Sequence, residues 1–130
     1  MSAADGVADL AEGPAILVVD DDETLLEMLT WWLEHHGYAV TACSTPAAAH
    51  AAIGPHVQAI VCDIELGQGV IGTALVAELR RRLDHPIPTV FVSGYRAEFV
   101  RINTVDGTDH FLQKPFDLAE LAAVLERCVS

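Results

Sequence analysis

The sequence predicts an α/β domain built on a parallel sheet with helices on both faces. Short β-like runs alternate with longer stretches of helical periodicity. The first apolar run, Ala15-Ile16-Leu17-Val18-Val19, is continuous rather than alternating, as a central strand covered on both faces requires. Acidic, hydroxyl and basic residues fall just past the C-terminal ends of the predicted strands, the edge at which such sheets bind ligands. The 130 residues suit one ordinary domain and leave little room for a second. We expect a flexible polar leader at 1–13 and the folded domain at 14–130.

The first strand ends at Asp20, Asp21 and Asp22. From Glu23 to His36 the apolar positions Leu25, Met28, Leu29, Trp32 and Leu33 recur at helical spacing, and Gly37 is a natural stop. Asp22 is placed to cap that helix. Trp31 and Trp32 are neighbours on it, about 100° apart, so Trp32 should be buried and Trp31 partly exposed. A second strand, Tyr38 to Ala42, leads to a short Ala-rich helix with Pro46 in its first turn and Gly54-Pro55 behind it. The third strand, Ala59 to Cys62, is ended by Asp63.

Between Thr73 and Leu83 the spacing of Leu75, Val76, Leu79 and Leu83 gives an amphipathic helix, with Arg80, Arg81 and Arg82 where the helix dipole favours cations. His85-Pro86-Ile87-Pro88 breaks it. The fourth strand is Thr89 to Val92, ending at Ser93. A weakly marked helix near Ala97 to Ile102 precedes a fifth strand, His110 to Gln113. Asp117-Leu118-Ala119-Glu120 resembles a capping box opening a last helix, with Leu118, Leu121, Leu125 and Val129 as its buried stripe.

Seven basic against nineteen acidic residues give a net charge of -12, which excludes the basic footprint of a nucleic-acid binder and adhesion to anionic lipid. The opening MSAADGVADLAEG carries acids and no basic residue, unlike a signal peptide, so a cytoplasmic setting is expected. Cys43, Cys62 and Cys128 are odd in number and widely spaced, which fits small apolar residues in a reducing compartment better than a disulfide frame or a zinc site. The six histidines are scattered, with no metal-ligand spacing.

Asp20-Asp21, Asp63, Ser93 and Lys114 matter together. Clustered carboxylates without a Cys or His ligand pattern suit a hard, oxygen-seeking cation, and Mg²⁺ over Ca²⁺ where water and phosphate complete the ligand set. Asp63 would be the nucleophile toward phosphorus, with the metal and Lys114 neutralising charge and Ser93 bonding a phosphoryl oxygen. Like charges so close raise at least one carboxyl pKa unless a cation is present, coupling metal binding to the anionic nucleophile.

In this order and spacing, ILVVDDDE, AIVCDIEL, PTVFVSGY and FLQKPF resemble the four signature segments of response-regulator receiver domains, covering nearly the whole chain from Pro14 onward. The resemblance implies a flavodoxin-like, doubly wound five-stranded parallel sheet of order 2-1-3-4-5. It implies that Asp20 and Asp21 are the acidic metal pair, Asp63 the phosphoacceptor, Ser93 the switch hydroxyl and Lys114 the family's lysine, with the Glu65 backbone carbonyl a further Mg²⁺ ligand. It also implies that Phe111 moves inward with Ser93, and that a cis peptide precedes Pro115.

The implied protein is a signalling switch rather than an enzyme, catalysing only its own phosphorylation and dephosphorylation. Its phosphoryl source would be a sensor histidine kinase or a histidine phosphotransfer protein. With the last helix ending near Ser130, output is expected through a downstream protein target or by relay of the phosphoryl group. We expect no nucleic-acid or membrane partner, and a monomer or weak homodimer.

Some features depart from the family pattern or fit another one. After Asp63 the usual proline turn is replaced by a glycine-rich loop, and Glu65 and Tyr95 should affect water access to the site. The segment Thr104 to Asp109 lacks the Gly-Ala pair often found before the fifth strand. Gly67-Gln68-Gly69-Val70-Ile71-Gly72 matches GxGxxG but follows the third strand rather than the first, so a turn is the better reading than a dinucleotide site. Asp20-Asp21-Asp22-Glu23-Thr24 also resembles the first motif of haloacid-dehalogenase-like phosphatases, with Asp20 as nucleophile and Asp22 as acid/base; that alternative leaves Asp63 unexplained. A pseudo-receiver that is never phosphorylated is a third reading.

Overall fold

The computed structural model describes residues 13–94 and 108–129. In chain order these form β1 (Ala15–Val19), α1 (Glu23–His35), β2 (Ala39–Cys43), α2 (Pro46–Ala52), β3 (Val57–Asp63), α3 (Gly72–Arg81), β4 (Thr89–Ser93), β5 (Asp109–Gln113) and α4 (Leu118–Val129). The strands make one sheet of order β2-β1-β3-β4-β5, and every pairing is parallel, as expected. The helix expected near 97–102, Tyr95 and nearly all of the expected leader lie outside the described residues.

Alternation along the strands divides the core in two. Leu17 and Val19 of β1 face the layer of α2 and α3, with Ile60, Cys62, Val76, Leu79 and Phe91. Ile16 and Val18 face the layer of α1 and α4, with Leu29, Leu33, Val61, Leu121 and Leu125. Both faces of the central strands are therefore dry, which is why β1 reads as an unbroken apolar run.

In α1 the Asp22 carboxylate accepts from the Thr24 and Leu25 backbone N–H groups, both at 3.1 Å, capping the helix as expected. The buried positions are Leu26, Leu29 and Leu33. Met28 is 47% exposed, so the expected stripe is rotated toward Leu26. Trp31 is 61% exposed, and Trp32 packs half-buried against the core beneath α1. Each indole meets the histidine one turn later, Trp31 tilted against His35 at a ring distance of 4.1 Å and Trp32 stacked on His36 at 3.8 Å. At the start of α4, Glu120 Oε1 accepts from the Asp117 backbone N–H at 3.2 Å, one half of the capping box. Its buried residues are Leu121, Val124 and Leu125, with Leu118 and Val129 at the edge.

Arg80 ties α3 to the sheet at the end away from the predicted site. Its guanidinium bonds the Asp109 carboxylate, whose side chain is 1% exposed, together with the Ile87 carbonyl and the Thr89 hydroxyl, both at 3.1 Å. Removing the cation from beside a buried carboxylate is costly, and the 20% exposure of Arg80 lets water offset part of the loss. We expect Arg80→Ala to lower unfolding stability by about 2 kcal/mol in urea titration, with Arg80→Lys recovering only part of it because an ammonium lacks the planar fork.

Candidate functional site

Strand register assembles the site. Val19 of β1 is level with Cys62 of β3, Asp63 of β3 with Val92 of β4, and Ser93 of β4 with Gln113 of β5. Asp20, Asp63, Ser93 and Lys114 therefore stand in a row along one end of the sheet. The ladder continues past the strands, with Asp20 N–H donating to the Cys43 carbonyl at 3.1 Å and Lys114 N–H to the Ser93 carbonyl at 2.7 Å. The Lys114–Pro115 peptide is cis.

The row is a tight set of charges. Asp20 and Asp63 are buried and Asp21 is exposed, and each offers a carboxylate oxygen within 4.8 Å of the others. A single cation can bridge oxygens at that spacing. Lys114 Nζ donates to Asp63 Oδ2 at 3.2 Å and lies 3.6 Å from Asp20 Oδ2. Asp63 Oδ1 accepts from the Glu65 backbone N–H at 3.2 Å, and Asp20 Oδ1 from the Asp22 N–H at 2.9 Å. Asp20 Oδ2 is buried with no hydrogen-bond partner.

Burial pushes the Asp63 carboxyl up to about 6, with the Asp20 charge adding, against Lys114 and the Glu65 N–H. Burial also raises Asp20, opposed by the Asp22 N–H and Lys114. Burial acts to lower Lys114, but Asp20, Asp63 and Glu65 outweigh it and its pKa is raised, so it stays an ammonium. One lysine among three carboxylates leaves the set short of positive charge.

Ser93 is buried, and its hydroxyl donates to Glu65 Oε2 at 2.7 Å. Phe111 is half-buried on β5, its ring 5.7 Å from that of Phe91. Sequence reasoning assigned Glu65 a backbone carbonyl role and an influence on water access; the structure adds a side chain that spans to β4. Nothing in residue type alone points there, because the reach depends on how the loop after β3 folds back.

That loop is a closed hairpin. Gly67, Gln68 and Gly69 have φ of 78°, 52° and 78°, a left-handed run that the two glycines make accessible. Glu65 and Ile71 form an antiparallel bridge, and the Gly72 N–H donates to the Ile64 carbonyl at 2.7 Å. The N–H that a dinucleotide phosphate would need is thus spent on the chain itself, which favours the turn reading of GxGxxG. Gly72, the last glycine of that motif, is a site residue by proximity: a Cβ there would lie 2.1 Å from the Asp63 carbonyl oxygen.

The response regulator receiver domain family matches residues 16–126. The chain is 37% identical over 112 residues to the transcriptional activator protein PfeR of Pseudomonas aeruginosa, covering 85% of this chain and 36% of that protein. The chain spans 49% of another relative, the transcriptional regulatory protein PmrA of Pectobacterium parmentieri, so it matches half or less of each. Among solved structures, a response regulator receiver protein from Sinorhizobium medicae superposes with a TM-score of 0.80 at 31% identity, covering 91% of this chain and 95% of that one. A response regulator from Burkholderia pseudomallei, solved with a phosphorylated aspartic acid, calcium ion and citrate, superposes with a TM-score of 0.75 at 29% identity, covering 86% and 66%. A match that runs through all five strands and both core layers places this chain in the response regulator receiver domain family of two-component signalling.

Proposed function

We propose that this receiver is a phosphorylation switch in which Asp63 accepts a phosphoryl group from a sensor histidine kinase or a histidine phosphotransfer protein. The observation that carries the reading is the row itself: a buried carboxylate bonded to a lysine, with two further carboxylates and a serine hydroxyl at the same sheet edge. An Asp63 oxygen forms the bond to phosphorus as the phosphorus–nitrogen bond to the donor imidazole breaks, and the imidazole takes up a proton. Lys114 holds its proton throughout and balances charge on the transferring group, and Ser93 donates to a phosphoryl oxygen once the acyl phosphate has formed. Phe111 then follows Ser93 toward the site, changing the surface around β5.

The residues fit a divalent cation. Three carboxylate oxygens converge, Asp20 Oδ2 is buried without a hydrogen bond, and the donor set is all oxygen. Asp20, Asp21, Asp63 and the Glu65 carbonyl would hold Mg²⁺, which when bound supplies positive charge at the attacking carboxylate and the transferring oxygens. The Burkholderia pseudomallei relative, with its phosphorylated aspartic acid and calcium ion, supports both assignments by analogy.

We take 14–130 as the functional unit, with output through a downstream protein or a phosphorelay. No helix among the described residues is long and apolar enough to cross a membrane. The test is incubation with Mg²⁺ and acetyl phosphate, chemical trapping of the acyl phosphate, and mapping by mass spectrometry. Modification is expected at Asp63 and is expected to vanish with chelator and in Asp63→Asn. Modification at Asp20 instead would overturn the assignment.

A further inference from the structure

The Glu65 carboxylate makes two bonds across the site: Oε2 accepts from the Ser93 hydroxyl at 2.7 Å and Oε1 from the Gly94 backbone N–H at 3.1 Å. A hydroxyl and an adjacent main-chain N–H at the end of a strand are the donor pair that suits phosphoryl oxygens. Here a two-oxygen anion from the protein already occupies them. The same residue is fixed to the nucleophile, since its own N–H donates to Asp63 Oδ1 at 3.2 Å.

We propose that Glu65 is an internal stand-in for the phosphoryl group, a latch that holds Ser93 and Gly94 in the unphosphorylated protein and must be displaced when Asp63 is phosphorylated. The proposal rests on the reading of Asp63 as phosphoacceptor. Ser93 has one hydroxyl hydrogen and cannot donate it to both acceptors. A carboxylate left in place would also face the incoming phosphoryl charge, so like-charge repulsion opposes coexistence. Glu65 is then a positioning residue that biases the switch toward its resting form by occupying the bonds the active form needs.

Two readouts on the whole chain test this, using Glu65→Ala, Glu65→Gln, Ser93→Ala and the Glu65→Ala/Ser93→Ala pair. Without metal, hydrogen exchange of the amide of Gly94, a surface residue, should be slow in the wild type and about tenfold faster in Glu65→Ala, in line with loss of a charge-assisted bond. With Mg²⁺ and acetyl phosphate, the initial rate of Asp63 modification should rise about tenfold in Glu65→Ala, with a smaller rise in Glu65→Gln, whose amide can accept only one of the two bonds. In the Ser93→Ala background the gain from Glu65→Ala should shrink, because half of the competition has gone. Uptake in Glu65→Ala and Glu65→Gln at or below the wild-type rate, with Asp63 still modified, would overturn the latch and leave the phosphoacceptor reading intact. Absence of Asp63 modification in every protein, wild type included, would remove both. Should Glu65→Ala fail to fold, the Glu65→Gln rates decide.

Discussion

With Mg²⁺ removed by chelator, Asp63→Asn should be more stable than the wild type at pH 7.5 by about 1–3 kcal/mol, and the advantage should disappear below pH 4. The Asp63 carboxyl stands at about 6 in the folded protein against 3.8 for the free group, chiefly through burial. A folded state with the higher pKa binds the proton that the unfolded chain has released. The stability from that proton is complete below pH 3.8 and is lost as the pH rises through about 6. The interval corresponds to about 3 kcal/mol, and an asparagine that must set its amide against either Lys114 or the Glu65 N–H gives some of it back. Because the chain carries a net charge of -12, its stability will depend on pH for other reasons too, so the wild type minus variant difference is the quantity to follow. Urea titrations at pH 4, 5.5 and 7.5 supply it. Mg²⁺ should then stabilise the wild type by about 2.7 kcal/mol at a hundred times its Kd, and Asp63→Asn by clearly less at the same concentration. Equal stability of the two proteins at every pH would show that the carboxylates tolerate one another without a cation.

The same physics explains what the sequence makes legible. Four site residues, Asp20, Asp63, Ser93 and Lys114, each follow an apolar strand directly, and in a parallel sheet all such positions fall at one edge. Strand ends alone were therefore enough to place them together. Asp22 was legible because an acid before an amphipathic run has a local job as a cap. Met28 was not, since its spacing fits the helix period as well as that of Leu26, and only the angle at which α1 lies on the sheet decides between them. Glu65 was half legible: its position beside Asp63 follows from the chain, but the bridge from its side chain to Ser93 follows from the hairpin at 65–71. Interactions set by chain-local geometry can be read off residue types; those set by a loop returning on itself cannot.

Gly72 carries the sharpest consequence of that return. Its missing side chain is what lets the first turn of α3 lie against the peptide after Asp63: an added Cβ would sit 2.1 Å from the Asp63 carbonyl oxygen, and 3.0 Å from both its carbonyl carbon and the Ile64 Cα. All three are backbone atoms in the middle of the buried site, so no side-chain rotation relieves the overlap. Either α3 moves out, opening the core around Leu75, Val76 and Leu79, or the end of β3 moves and takes the Asp63 carboxylate with it. Gly72→Ala should therefore lower unfolding stability by about 3 kcal/mol, the upper end of what overpacking costs. With Asp63 as the proposed phosphoacceptor, a displacement of its carboxylate by about 1 Å in the fraction that remains folded should slow acetyl-phosphate uptake there by about a hundredfold. Ile71→Ala, one residue earlier and 55% exposed, is the control for a change in the loop that leaves this packing alone, and it should stay within about 0.5 kcal/mol of the wild type. Wild-type uptake by folded Gly72→Ala would show that β3 holds Asp63 in place independently of the helix packed against it.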